Sequence, residues 1–191
     1  MRPRQTLFVL KGDVRGAGAI LQDPVAASSF PAFFAETVIE AGRDLVIAQA
    51  TNGDSALLID PNPRQVVIAA LTMRQRLLRS AYGCDMRFGG DAGFVEIAGE
   101  GRSAHARTGL ALLVAARLEP HAPPGAILVT GQFVEAWRDL LGAGGLRART
   151  IEPHEVPLLR ESDGRFDLAK PGGEAPMLRR LRLLDGPASV T

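Results

Sequence analysis

The alternation of hydrophobic and polar residues over residues 45–59 predicts a β-hairpin at the centre of the fold. Two apolar, β-rich runs flank Asn52 and Gly53, a pair that favours a two-residue type I′ turn because both residues adopt positive φ readily. With that turn, Thr51 faces Asp54 across the ladder. One face then carries Leu45, Ile47, Gln49, Thr51, Asp54, Ala56 and Leu58, and the other carries Val46, Ala48, Ala50, Ser55, Leu57 and Ile59. Both faces are mostly apolar, so we expect helices or a partner to cover them.

Apolar residues at helical spacing predict a helix on either side of this hairpin. The first helix covers residues 29–41, with Ser28 or Ser29 as its cap and Pro31 in its first turn. The second helix covers residues 62–80, with Asn62 as its N-cap. Its predicted inward residues are Val66, Val67, Ala70, Met73, Leu77 and Leu78, and its arginines are predicted to face solvent.

The second half of the chain is predicted to add further strands and helices. The pattern indicates a hairpin at 86–97 turning near Asp91, a loop at 99–108, a buried helix at 109–119, a strand at 126–130, a helix at 132–141, edge strands at 146–151 and 177–184, and a loop at 160–175. With a buried strand at 6–10, the order becomes β-α-β-β-α-β-β-α-β-α-β. A hairpin between two helices, with strands on either side, favours an α+β sandwich of the ferredoxin-like kind with a mostly antiparallel central sheet.

The composition is typical of a single globular domain over residues 1–191. Hydrophobic residues make up 46% of the chain and charged residues 23%. The net charge of +1 argues against a nucleic-acid partner, whose binding surface would carry a basic excess. The single cysteine, Cys84, cannot form an internal disulfide. The first apolar run is too short for a signal peptide and no stretch reaches membrane-spanning length, so we expect a cytoplasmic protein.

Two aspartates are candidates for holding a cation. Asp13 ends the first strand and opens a glycine-rich turn. Its carboxylate can bind a cation while the N–H groups of Val14, Arg15 and Gly16 cradle phosphate oxygens. Asp54 stands beside the hairpin turn, where aspartate commonly serves turn chemistry. From these patterns alone, a structural role and a binding role are both open for each residue.

Several strings together resemble the catalytic domain of class III adenylate and guanylate cyclases. They are Asp13-Val14-Arg15-Gly16 after the first strand, the Gly53-Asp54 step of the hairpin, Arg87-Phe88-Gly89 in a later strand, and GLALLVAARLEPHAPPGAILVT over residues 109–130. The resemblance covers residues 5–140 and leaves residues 142–191 as an extension without an assigned role. Each string is loose by itself, but their common order and spacing are hard to reach by chance.

The resemblance implies a site that handles a nucleoside triphosphate. Asp13 and Asp54 would bind two divalent ions, Mg²⁺ or Mn²⁺, because such hard cations prefer carboxylate oxygens. Arg117 would reach the site of a partner subunit and steady charge on the transferring phosphate. The implied assembly is a two-fold homodimer, or a heterodimer with another cyclase domain, and the apolar hairpin face is its predicted interface.

The chain departs from the family at three positions that contact substrate. Ala50 and Ala106 stand where the family has a lysine and an aspartate that recognise the base, and Leu113 replaces the asparagine that orients the ribose. Each unmatched hydrogen-bonding group costs about 1–3 kcal/mol, and misalignment of the attacking group can cost about 100-fold in rate.

Two hypotheses therefore stand. The first is a degenerate cyclase-homology domain that acts as a nucleotide- or metal-binding regulatory or dimerisation module in cyclic-nucleotide-type signalling. The alternative is an active nucleotidyl cyclase that forms a 3′,5′-cyclic nucleotide and pyrophosphate with non-standard base recognition. An unrelated α+β ligand-binding domain is a third, weaker possibility.

Overall fold

The computed structural model describes residues 5–142, 147–170 and 175–185. Residue 146 of the predicted strand at 146–151 and residues 171–174 of the predicted loop at 160–175 therefore lie outside the described residues. The helices are α1 (Ala17–Ile20), α2 (Pro24–Ala41), α3 (Pro63–Arg79), α4 (Leu110–Leu118) and α5 (Gly131–Leu141). The strands are β1 (Leu7–Val14), β2 (Ile47–Thr51), β3 (Ser55–Asp60), β4 (Met86–Gly93), β5 (Glu96–Ala98), β6 (His105–Thr108), β7 (Ile127–Thr130), β8 (Arg147–Thr150), β9 (Arg160–Ser162), β10 (Arg165–Asp167), β11 (Leu178–Arg179) and β12 (Leu181–Asp185).

A seven-stranded sheet in the order β2-β3-β1-β4-β7-β12-β8 forms the centre of the molecule. Within the described strands of this sheet, β4 and β7 are the parallel pair and the other neighbours run antiparallel. Two small sheets, β5-β6 and β11-β10-β9, accompany it. The predicted α+β fold with a mostly antiparallel sheet is confirmed. Among the described residues, no helix is long and apolar enough to cross a membrane.

Helices cover both faces of the central sheet. On one face α2, α3 and α5 bury the largest core, in which Phe34 and Phe133 join Phe8 of β1. On the other face α4 packs on the sheet, and its Ala115 joins Val9 of β1 in a smaller core. Since side chains alternate along a strand, the odd-numbered residues of β1 point toward the α4 side. That side carries the candidate chemistry.

Helix α2 begins earlier than the apolar spacing indicates. Asp23 caps it by accepting a hydrogen bond from the N–H of Val25 at 2.8 Å. The hydroxyls of Ser28 and Ser29, the predicted caps, instead donate back to the carbonyl of Val25. The predicted start at residue 29 is therefore wrong, and Pro31 lies inside the helix. A carboxylate that satisfies the unpaired N–H groups of the first turn sets the start.

Helix α3 begins where the sequence predicts. Asn62 caps it by accepting a hydrogen bond from the N–H of Arg64 at 3.0 Å. Its predicted inward residues are buried except Leu78, which is 44% exposed. Arg74, predicted to face solvent, instead forms an ion pair with Asp85. The predicted helices at 109–119 and 132–141 and the strand at 126–130 are confirmed within one or two residues.

The hairpin β2-β3 has a three-residue turn, so the predicted two-residue turn is wrong. Thr51 pairs with Ser55, which leaves Asn52, Gly53 and Asp54 outside the ladder. Asn52 and Gly53 do adopt positive φ, at 56° and 85°. The extra turn residue shifts β3 by one position, and a shift of one exchanges the two faces of a strand. Each residue of β3 therefore lies on the face opposite to the predicted one, relative to β2.

Residues 86–97 do not form the predicted hairpin. Strand β4 crosses the centre of the sheet without a turn, and its Asp91 pairs with Val9 of β1. Strand β5 then pairs with β6, which lies in the predicted loop at 99–108. The glycines that suggest a turn in the sequence instead allow close packing, since a Cβ on Gly89 would lie 2.2 Å from the backbone nitrogen of Glu119.

The described part of the chain after α5 completes the central sheet. Strand β8 is an edge strand, as predicted, but β12 lies between β7 and β8, so its predicted edge position is wrong. The predicted loop at 160–175 contains β9 and β10. Local alternation cannot distinguish an edge strand from an interior one, because only the neighbours in space decide it. A single domain over residues 1–191 stays a prediction.

Candidate functional site

Three neighbouring strands bring a hydroxyl, a carboxylate and a guanidinium into one row. Asp13 of β1 pairs with Ser55 of β3 on one side and with Arg87 of β4 on the other. The Ser55 Oγ donates to Asp13 Oδ1 at 3.0 Å, and Arg87 Nη2 lies 3.6 Å from Asp13 Oδ2. The row is on the α4 side of the sheet, because the residues next to it in each strand belong to the main core on the opposite side.

The hairpin turn brings the second predicted carboxylate to this row. Asp54 immediately precedes Ser55, and its Oδ1 lies 3.5 Å from the Ser55 Oγ. Its backbone carbonyl accepts a hydrogen bond from the N–H of Val14 at 3.0 Å, which fixes the turn against the end of β1. Asp13 and Asp54 thus both lie within 3.5 Å of one hydroxyl. Burial raises the pKa of Asp54, and the negative charge of Asp13 raises it further.

The end of α4 adds a third carboxylate. The Arg87 Nε donates to Glu119 Oε1 at 2.6 Å, and Arg87 Nη1 donates to the carbonyl of Pro120 at 3.1 Å. Burial raises the pKa of Glu119, and its bond to Arg87 opposes this rise. Glu119 can approach the sheet so closely because Gly89 has no side chain. Arg87 therefore connects Asp13 on the sheet to the end of α4.

A lysine lies among these acidic groups. Lys11 precedes Asp13 by two residues in β1, so both side chains project from the same face. Its Nζ donates to the Thr51 Oγ1 at 2.8 Å. Burial lowers the pKa of Lys11, and the charges of Glu119, Asp13 and Asp54 oppose this lowering. The site thus combines three carboxylates with two cationic groups.

Comparison with known proteins identifies the fold that carries this site. No family model matches the chain, and no curated protein matches it in sequence. The guanylate cyclase domain of RhGC from Catenaria anguillulae in complex with GTP superposes with a TM-score of 0.65 at 15% identity, covering 96% of this chain and 98% of that chain. An adenylate cyclase from Trypanosoma brucei in its monomeric state superposes with a TM-score of 0.68 at 14% identity, covering 98% of this chain and 92% of that chain. The adenylyl cyclase CyaB from P. aeruginosa superposes with a TM-score of 0.64 at 16% identity, covering 99% of this chain and 98% of that chain.

The chain has the fold of a class III nucleotidyl cyclase catalytic domain. At these identities the likeness establishes the fold, and the chemistry has to be argued from this chain's own residues.

The donor set in this cyclase fold suits a divalent cation without forming a closed cage. Asp13 and Asp54 offer the carboxylate oxygens that Mg²⁺ and Mn²⁺ prefer. A cation between them would relieve the like-charge contact that raises the pKa of Asp54. Across residues 5–142, 147–170 and 175–185, no group of three or more His, Cys, Asp or Glu side chains is arranged to hold a metal. Further ligands of an ion here would therefore be water or phosphate oxygens.

The glycine-rich turn after β1 is tightly held by backbone hydrogen bonds. The N–H of Val14 donates to Asp54, and the N–H of Arg15 donates to the carbonyl of Asp85 at 2.8 Å. Gly16 adopts a φ of 78°, which permits the sharp entry into α1. The two amides used in these bonds are directed at protein carbonyls. Phosphate binding by Val14, Arg15 and Gly16 stays a prediction.

Arg117 lies on α4 but points toward the C-terminal part of the chain. Its Nη1 donates to the carbonyl of Leu168 at 3.1 Å and lies 3.6 Å from the sulfur of Met177. These contacts do not involve Asp13 or Asp54. The resemblance to the cyclase family implies that Arg117 serves a partner's site rather than its own, and that role stays a prediction.

The three positions that depart from the cyclase family carry apolar side chains in different surroundings. Ala50 of β2 is half-buried against the main core. Ala106 of β6 is half-buried against the core under α4. Leu113 is 40% exposed on α4. These side chains offer no hydrogen bond to a base or a ribose.

The sequence singles out two of the residues that form the charged site and misses four. Asp13 and Asp54 are candidates from their strand-end and turn positions, and the resemblance to the cyclase family selects them. Ser55, Arg87 and Glu119 join them only through strand register and the approach of α4. Lys11 could have been found, because alternation puts it on the same face as Asp13.

Proposed function

We propose that this chain is a cyclase-homology domain that binds a divalent ion and a nucleoside triphosphate and acts as a regulatory or dimerisation module in cyclic-nucleotide-type signalling. The observation that supports this proposal is that carboxylate oxygens of Asp13 and Asp54 lie 3.0 and 3.5 Å from the same Ser55 hydroxyl. Two adjacent carboxylates repel each other unless a cation lies between them. A divalent ion with a bound triphosphate supplies both the cation and its remaining oxygen ligands.

The proposed site lacks groups for selecting a base and aligning a ribose. Ala50, Ala106 and Leu113 occupy the corresponding positions, and their side chains neither donate nor accept hydrogen bonds. A bound triphosphate would then be held by its phosphates more than by its base. Because the attacking hydroxyl would not be aligned, we propose that turnover to cyclic nucleotide is slow.

An active cyclase is the second candidate. It is favoured by the paired carboxylates together with Arg117, which the sequence retains at the position the family uses for transition-state stabilisation. In this case backbone groups or other side chains would read the base.

Nucleotide binding and turnover distinguish the two candidates. We expect ATP and GTP analogues with a fluorescent ribose label to bind in Mn²⁺ and not in EDTA. Asp54→Ala should weaken this binding by at least about tenfold, because a metal ligand is lost. Asp44→Ala is the matched control, since Asp44 is a surface acid whose side chain is 75% exposed. Absence of Mn²⁺-dependent binding would contradict the proposal.

A cyclase assay with ATP and GTP in Mn²⁺ completes this test. The proposed module forms cyclic nucleotide barely above background. Rapid formation of cyclic nucleotide by the wild-type protein, abolished by Asp54→Ala, would establish the second candidate instead.

A further inference from the structure

Lys11 holds an unusual place among the cationic residues of this chain. The sequence contains 22 lysines and arginines, and only Lys11 and Lys170 are lysines. Lys170 is exposed on the surface. Lys11 instead lies half-buried on the α4 side of β1, where its ammonium group donates to the Thr51 hydroxyl. Lys11 precedes Asp13 by two residues in β1, so both side chains project from the same face. The negative charges that act on its ammonium group are those of Glu119, Asp13 and Asp54.

The net formal charge of the site is too small to neutralise a free divalent ion. Asp13, Asp54 and Glu119 contribute three negative charges, and Lys11 and Arg87 contribute two positive ones. Arg87 is committed to Glu119 and Asp13 at 2.6 and 3.6 Å. The net charge is then one negative, half of what would neutralise Mg²⁺ or Mn²⁺. Without Lys11 the same groups would carry two negative charges.

We propose that Lys11 is a resident counter-cation of the metal-binding carboxylates, which neutralises them when no metal is bound and makes divalent-ion binding depend on a bound triphosphate. This inference rests on the proposed function of the Asp13–Asp54 site. A lysine suits this role because its ammonium is a compact point charge on a flexible stem. It can stay within the acidic cluster or move aside when an ion arrives.

The physical consequence is a conditional metal site. In the nucleotide-free protein an incoming divalent ion meets the positive charge of Lys11 on the same face of β1 as Asp13, which weakens binding of the ion. The phosphates of a bound triphosphate bring additional negative charge, and this restores a favourable balance. Lys11 thereby selects the metal–nucleotide complex over the free metal.

Mn²⁺ titration of the nucleotide-free protein, with free Mn²⁺ measured by electron paramagnetic resonance, tests this inference. Wild-type protein should bind Mn²⁺ weakly. Lys11→Met, which keeps the length of the side chain and removes its charge, should bind Mn²⁺ at least about tenfold more tightly. Lys11→Gln should behave in the same way, because it can still hydrogen-bond to Thr51 and lacks the charge. Lys170→Met is the matched control and should match wild type.

Adding a non-hydrolysable triphosphate should reduce the difference in Mn²⁺ affinity between wild type and the Lys11 variants. Unchanged or weaker Mn²⁺ affinity in both Lys11 variants, beside normal Mn²⁺–triphosphate binding by wild type, would overturn this inference and leave the proposed function intact. Failure of wild type and both variants to bind Mn²⁺ under any condition would overturn both.

Thermal unfolding in EDTA and in Mn²⁺ guards against a variant that fails to fold. Loss of Lys11 leaves three carboxylates with one positive charge. We therefore expect the Lys11 variants to have a lower Tm than wild type in EDTA. Mn²⁺ should raise the Tm of the variants more than that of wild type, and this result would support the inference. A Lys11 variant that stays unfolded in Mn²⁺ would contradict it, because Lys11 would then be needed for packing.

Discussion

At the scale of single residues, Asp91 shows how a buried charge can be tied into the sheet. Only 3% of it is exposed, and it accepts a hydrogen bond from the Thr130 hydroxyl. The same hydroxyl accepts the N–H of Phe133 at the start of α5, at 3.2 Å. Burial raises the pKa of Asp91, and the Thr130 bond and the charge of Arg179 offset this only in part. Asp91 thus links the sheet to α5, and its burial disfavours the charged form of its carboxyl group.

Replacing this charge should stabilise the protein at neutral pH. Because the pKa of Asp91 is higher in the folded than in the unfolded state, wild type loses stability as pH rises from the ordinary value of 3.8 through the raised one. Asp91→Asn keeps an acceptor for Thr130 and has no charge. Thermal unfolding should show equal stability of wild type and variant below about pH 3, and a more stable variant as pH rises.

Asp91→Ala is the control for this prediction. It removes the acceptor of Thr130 as well as the charge, so it should be less stable than Asp91→Asn at every pH. If Asp91→Asn is less stable than wild type at neutral pH, the prediction is wrong. The attraction between the Asp91 charge and Arg179 would then outweigh the cost of burying that charge.

At the scale of elements, the contact between β4 and α4 completes the charged site by adding Glu119. A Cβ on Gly89 would lie 2.2 Å from the backbone nitrogen of Glu119 and 2.4 Å from the carbonyl oxygen of Ala115. These are backbone atoms, so the helix as a whole would have to move. The approach that Gly89 permits brings Glu119 within reach of Arg87, and through it of Asp13.

Gly89→Ala should therefore destabilise the protein by about 1–3 kcal/mol, as overpacking in a close contact does. It should also weaken Mn²⁺-dependent triphosphate binding, because displacement of α4 separates Glu119 from Arg87. Urea unfolding and nucleotide titration measure the two effects. Gly18→Ala is the matched control, since its Cβ would meet nothing within 4 Å. It should be neutral or stabilise by up to about 1 kcal/mol.

At the scale of the whole molecule, the apolar hairpin face predicted as the interface is instead packed inside the protein. Ala56 and Leu58 of β3 join the main core, and Ile59 joins the core under α4. The exposed apolar side chains that a two-fold assembly could bury lie on α4. Leu110 and Leu113 of α4 are 54% and 40% exposed. They are three residues apart on the helix and so form one apolar area. Such an area on a surface is typical of a contact with another protein chain.

Leu110→Asp should shift the protein toward the monomer, because a charge would be buried in the contact. Analytical ultracentrifugation over a concentration series measures this shift, with at least about a tenfold rise in the dimer dissociation constant. Val25→Asp is the matched control, because Val25 is also exposed, at 77%, and lies on α2 across the sheet. A wild-type protein that stays monomeric at high concentration, with a cyclase-domain partner added, would contradict the predicted assembly.

Restoring the missing substrate contacts tests whether catalysis is latent in this fold. Ala50→Lys, Ala106→Asp and Leu113→Asn together should raise cyclase activity in Mn²⁺ above the wild-type level. Each single change should do little, because groups that act as a unit have non-additive effects. The triple variant with Asp54→Ala is the control and should return to background. Unchanged activity in the triple variant would mean that the site lacks more than these three groups.

The sequence by itself determined the order of the main elements and the two aspartates of the site. Helix caps such as Asn62 and apolar spacing are local signals, so α3, α4, β7 and α5 follow from them. Asp13 and Asp54 stand at a strand end and beside a turn, and the resemblance to the cyclase family singles them out as candidate cation ligands. The mostly antiparallel sheet follows from the hairpin between two helices.

Only the tertiary structure decided what surrounds those aspartates. The three-residue turn, which reversed the faces of β3, placed Ser55 rather than Asp54 opposite Thr51. Pairing across β1 and β4 placed Arg87 beside Asp13, and the lack of a side chain at Gly89 admitted Glu119. These contacts join residues far apart in the chain, and no local propensity encodes them. Strand register and the packing distance of a helix are settled by the whole core at once, which is why the charged site could be located from sequence but not assembled from it.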